Sequence, residues 1–123
     1  MARFILSIIN NSGAAVNGIA PGVPPLWITT LTTPIANGGH GTVNILVPDP
    51  PPGGHPVTAV VRYSQAAGGI WQLLMTNPGP GGVAPNAAGA YIAPPAGHGV
   101  AIAPGPCPPG SPVGSICYNV TFT

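Results

Sequence analysis

The stretch Ser115-Ile116-Cys117-Tyr118-Asn119-Val120-Thr121-Phe122 alternates large apolar side chains with smaller or polar ones. Ile116, Tyr118, Val120 and Phe122 fall on one face, and Cys117, Asn119 and Thr121 on the other. That period of two is the mark of a half-buried β-strand. Short apolar or β-branched runs of the same kind recur upstream, at residues 3–10, 26–32, 42–47, 57–64, 70–76, 90–92 and 99–103. Eight such segments separated by turn-forming clusters predict a β-sandwich or barrel.

The punctuation supports this reading. Gly and Pro number 19 each in 123 residues, a share that usually signals a low-complexity chain. No three-residue period is present, which excludes a collagen helix. The two residue types cluster between apolar runs, and a hydrophobic content of 45% supplies a core. Pro48-Asp49-Pro50-Pro51-Pro52-Gly53-Gly54 and Asn77-Pro78-Gly79-Pro80-Gly81-Gly82 are stops, because proline cannot donate to a ladder. Asn10-Asn11-Ser12-Gly13 reads as a tight turn. The Ala-rich window at residues 84–90 contains Pro85 and Gly89 and leaves at most one helical turn. The expected fold is all-β: a single domain, residues 1–123, forming an antiparallel two-sheet sandwich of jelly-roll or Greek-key type. Its loops, such as 14–25 and 77–89, are long and Pro/Gly-rich, and it has essentially no helix.

Charge is almost missing. Asp49 is the single acidic residue, Arg3 and Arg62 are the only basic ones, and Lys and Glu are absent. Two arginines cannot supply a phosphate footprint, so no nucleic-acid partner is expected. Two-carboxylate acid/base catalysis is impossible within one chain. The chain has no Gly-x-Ser-x-Gly elbow and no phosphate loop followed by Lys. The expectation is a protein without enzymatic activity or cofactor. A surface this neutral has little electrostatic resistance to self-association.

The opening segment, residues 1–10, faintly imitates a signal peptide. Its alternation with Ser7 reads instead as a first strand, apolar on both faces, either central in a sheet or facing another subunit. No run reaches the 18 or so apolar residues of a membrane helix. Cys107 and Cys117 enclose a short Pro/Gly loop. A bridge there would contribute about 3 kcal/mol by loop closure and favour an extracellular or particle-surface location; two free thiols are the alternative.

Candidate sites follow from this neutrality. Self-association is expected to use Phe4, Ile5, Ile8 and Ile9 with Tyr118 and Phe122 of the last strand, giving a homo-oligomer with a structural role. A second reading is a carbohydrate-binding module or lectin. A neutral glycan offers an apolar face to aromatic rings and hydroxyls to amides, here Trp71, Tyr63 and Tyr91 with Gln72 and Asn77. A third reading is a metalloprotein built on His40, His55 and His98, each in a Gly-rich loop before a strand. It is disfavoured because no Glu can orient a ring, and no metal site is assigned. Asp49 and Arg62 are expected to pair, and Arg3 to meet the C-terminal carboxylate if the terminal strands are neighbours. Asn10-Asn11-Ser12 and Asn119-Val120-Thr121 match the N-glycan acceptor pattern.

Overall fold

The computed structural model describes residues 1–19, 27–79, 84–92 and 96–123. They contain nine strands: β1 (Ala2–Asn10), β2 (Asn17–Ile19), β3 (Ile28–Leu31), β4 (His40–Val47), β5 (Val57–Ser64), β6 (Ile70–Asn77), β7 (Asn86–Ile92), β8 (Val100–Pro104) and β9 (Ile116–Phe122). The protein is all-β, with no α-helix among the described residues. One sheet has the order β3-β4-β1-β9-β8 and the other β2-β5-β6-β7.

All eight segments recognised by alternation contain strands. Residue 26 of the second segment, residues 20–25 of the first long loop and residues 80–83 of the loop after β6 lie outside the described residues. Two strands depart from expectation. Asn17-Gly18-Ile19 is too short to show alternation, yet it pairs with Ser64-Tyr63-Arg62 of β5. Residues 86–90 of the Ala-rich window form most of β7, paired with β6, and Gly89 there lies close against Val100, where a Cβ would come within about 3.0 Å of its methyls.

The sheets are not purely antiparallel. β1 runs antiparallel to β4 but parallel to β9, from Phe4↔Ile116 to Asn10↔Phe122. The terminal strands are therefore neighbours, but Arg3 and Thr123 lie at opposite ends of the pair. Arg3 Nη1 instead donates to Asn44 Oδ1 at 2.8 Å. Alternation reports which face of a strand is buried, and it carries no information on strand direction.

Both sheets contribute to one core. Phe4, Leu6 and Ile8 of β1 meet Val43, Ile45 and Val47 of β4 and Val120 and Phe122 of β9; across from them stand Ala59, Val61 and Tyr63 of β5 and Trp71, Leu73 and Met75 of β6. Each large side chain buried here contributes roughly 1.5–3 kcal/mol. The centre is aromatic: Phe122 lies 5.5 Å from the Tyr63 ring and 5.5 Å from the Trp71 ring. Among the described residues every buried side-chain polar atom has a partner. Tyr63 donates to the Thr32 carbonyl at 2.8 Å and the Trp71 indole N–H to that of Gly99 at 2.9 Å.

Neutral amides tie the loops. Buried Asn10 donates to the carbonyls of Ala14 and Ile35, both at 2.9 Å. Buried Asn77 reaches the carbonyls of Val47 and Pro48 and Asp49 Oδ1. Cys107 and Cys117 are disulfide-bonded, with Cα atoms 5.2 Å apart. Truncating Phe122 to Ala leaves a cavity between the sheets and is expected to cost about 3–5 kcal/mol in urea denaturation. Asn77→Ala strands buried carbonyls and is expected to cost about 1–3 kcal/mol.

Candidate binding faces

The residues singled out for self-association divide between the interior and the surface. Phe4, Ile8 and Phe122 point into the core, and Tyr118 packs against it. Ile5 projects from the outer face but is almost covered, in the row Asn44–Ile5–Cys117. Ile9, 37% exposed, is the accessible member. β1 is the central strand of its sheet, one of the two positions its doubly apolar sequence fits.

The five glycan-binding candidates are also dispersed. Tyr63, Trp71 and Tyr91 form one inward-facing row across β5, β6 and β7. Tyr63 and Trp71 are fully buried, and burial pushes the Tyr63 phenol well above its ordinary pKa. Tyr91 stacks edge-on against Trp71 at 4.8 Å. Its hydroxyl lies over Gly69, whose φ of +91° and missing Cβ make that approach feasible. Gln72, the next residue along β6, faces outward and accepts from Arg62 Nε at 2.9 Å. Asn77 is the buried loop clamp already described. These side chains present no shared open surface.

The histidines do not converge. His40 is exposed at the start of β4, and His55 is exposed in the loop before β5. The His98 ring packs 5.3 Å from both Trp71 and Tyr91. Its Nδ1 is 3.1 Å from the Thr123 carbonyl, a contact that needs the Nδ1–H tautomer. Among the described residues no three His, Cys, Asp or Glu side chains come together. Asp49 does not pair with Arg62. Its carboxylate accepts from the Met1 ammonium at 2.8 Å and from Asn77 at 2.9 Å, and these bonds hold it below the usual aspartate pKa.

The two outer faces differ sharply. On the β2-β5-β6-β7 sheet the cross-strand rows are Val60–Leu74–Ala88, Ser64–Ile70–Ile92 and Ile19–Arg62–Gln72–Ala90. Seven apolar side chains alternate there with seven polar ones, since Asn17 continues the Ser64 row and Thr58–Thr76–Asn86 forms a fourth. Arg62 pairs with Gln72, and Thr58 with Thr76 at 3.1 Å, while the side chains of Asn17, Ser64 and Asn86 have no partner among the described residues.

On the other sheet the rows Thr42–Ser7–Asn119 and His40–Ile9–Thr121 line a depression of about 570 Å³. None of the side chains of Ser7, His40, Thr42, Asn119 and Thr121 has a hydrogen-bond partner among the described residues. The Asn119 amide lies over the backbone of Gly105, where a Cβ would come within 2.5 Å of its nitrogen. A smaller concavity of about 170 Å³ lies among Pro50, Pro51, Pro52 and Pro78, below the range of ligand pockets. Of the two acceptor patterns, Asn10 is buried and bonded, whereas Asn119 is exposed in the larger depression. The period of β9 places Asn119 and Thr121 on its polar side; their meeting with Ser7, His40 and Thr42 depends on register.

Trp71→Phe removes the indole N–H and part of a buried ring, while the Gly99 carbonyl keeps the Thr123 N–H and hydroxyl as donors. Loss of that bond and of core volume should lower stability by about 1–3 kcal/mol in chemical denaturation. Asp49 is the only side-chain carboxylate, and its pKa is depressed in the folded state. Its contribution is thus complete above the model-peptide value of 3.8 and lost as pH falls through the folded value. Thermal melts of wild type should weaken below about pH 4, and Asp49→Asn should flatten that dependence.

No protein-family model and no curated protein matches the chain. Functional assignment therefore rests on the geometry of these two faces.

Proposed function

We propose that this chain is a non-enzymatic structural protein that self-associates through the outer face of the β2-β5-β6-β7 sheet, in a β-sandwich of Greek-key or jelly-roll character. The sandwich class is supported by the shared core and by a chain path that passes repeatedly between sheets, as from β4 to β5 and from β7 to β8. The observation that carries the functional reading is the face itself. Ile19, Val60, Ile70, Leu74, Ala88, Ala90 and Ile92 line it, with Arg62 its single charge. Ile92 is 41% exposed.

A second copy is the favoured occupant because covering this face isolates fewer unpaired polar side chains, Asn17, Ser64 and Asn86, than covering the other. The local Arg62–Gln72 and Thr58–Thr76 pairs survive contact with an apolar surface. Covering the opposite sheet would strand five unpaired polar side chains, at about 1–3 kcal/mol each. Three strands of seven or eight residues and the three-residue β2 give a face of roughly 400 Å². Pairing two copies then buries roughly 800 Å², in the range of weak, transient encounters. Association is therefore expected to be weak and concentration-dependent. The disulfide supports an extracellular or particle-surface setting, where such bonds persist.

Sedimentation equilibrium over a wide concentration range tests this reading. Wild type is expected to associate reversibly with little sensitivity to salt. Leu74→Lys, on the outer face, should shift the chain to monomer without lowering its melting temperature by more than a few degrees. A strictly monomeric wild type at high micromolar concentration would sink the proposal.

A further inference from the structure

The depression on the β3-β4-β1-β9-β8 sheet has a chemistry of its own. Its floor is a grid of two rows across β4, β1 and β9, with Thr42, Ser7 and Asn119 in one and His40, Ile9 and Thr121 in the other. Elsewhere on the outer faces most polar neighbours pair, as Arg3 with Asn44, Arg62 with Gln72 and Thr58 with Thr76. The unpaired Asn17, Ser64 and Asn86 of the other sheet line neither this depression nor the proline concavity. Here five polar side chains share one concavity and none is used within the described residues. Hydroxyl and amide groups both donate and accept, and Ile9 places one apolar surface among them. No Asp, Glu, Lys or Arg lines the depression.

We propose that this depression binds a neutral glycan. The grid measures about 10 Å by 7 Å, the footprint of one to two sugar rings, and its volume of about 570 Å³ lies in the range of ligand sites. Ile9 meets the C–H face of a ring while Ser7, Thr42, Asn119 and Thr121 exchange hydrogen bonds with its hydroxyls, and His40 closes one side. Selection works through charge as well as fit. An anionic glycan would bring a carboxylate or sulfate to a site with no fixed cation, so neutral sugars are preferred. The site lies on the sheet opposite the proposed self-association face, so the two readings stand or fall separately.

The test is an amide NMR titration of unglycosylated chain, kept dilute enough to be monomeric. The probes are soluble neutral trisaccharides of glucose, mannose, galactose and N-acetylglucosamine, with a sialylated trisaccharide as the anionic arm. The same neutral glycans coupled to a carrier protein distinguish free sugar from a glycosylated surface as the source. At least one neutral sugar should shift the amides of Ser7, Ile9, Thr42, Asn119 and Thr121, leaving β5–β7 unmoved. Thr42→Val with Thr121→Val preserves β-branched shape and strand propensity and removes two hydroxyls. That variant should melt as wild type does and bind about tenfold more weakly. The proposal is overturned by a flat response to every neutral probe, by preference for the sialylated sugar, by shifts on β5–β7, or by undiminished binding in a folded double variant.

Discussion

The pairing of β1 with its two neighbours organises both sides of this protein. On the inner side it sets Phe4, Leu6 and Ile8 beside Val43, Ile45, Val120 and Phe122, and so closes half of the core. On the outer side the same register brings Ser7 and Ile9 between Thr42 and His40 of β4 and Asn119 and Thr121 of β9. Because side chains alternate strictly, a slip of one residue in either ladder would exchange these sets. Core and depression are two consequences of one register. The parallel direction of β9 matters equally, since it carries Phe122 to the end of the sheet where Tyr63 and Trp71 stand opposite.

A chain with one acidic side chain must fasten its loops by other means. Asn10 and Asn77 do so, each satisfying carbonyls from segments distant in sequence. Tyr63 and Trp71 act similarly from within the core, joining apolar rings to the carbonyls of Thr32 and Gly99. Such neutral bonds are barely screened by salt, and they leave buried backbone groups paired. The lone carboxylate is itself placed by one of these amides.

The contrast between the outer faces follows from where polar groups find partners. One face pairs four of its seven polar side chains locally and sets them among seven apolar ones, so contact with a like surface costs less. The other keeps its hydroxyls and amides open, and only a ligand or solvent that returns those hydrogen bonds can cover it. The aromatic residues that suggested sugar binding lie in neither face. Trp71 sits beside Gly68-Gly69 in sequence, which resembles a loop rim, but the parity of β6 turns it inward.

Local alternation already identified eight strands, their inward residues in β9, the absence of helix-forming segments and the neutrality of the surface. Those properties depend on side-chain order within a single segment, and a single segment displays them. The short β2 escaped because three residues cannot show a period, and the first residues of β7 because Ala and Gly carry little signal. Partner choice, strand direction and the grouping of Ser7, His40, Thr42, Asn119 and Thr121 were settled only in three dimensions. Each requires several strands to bury their apolar faces at once, and that joint condition is not written in any one of them.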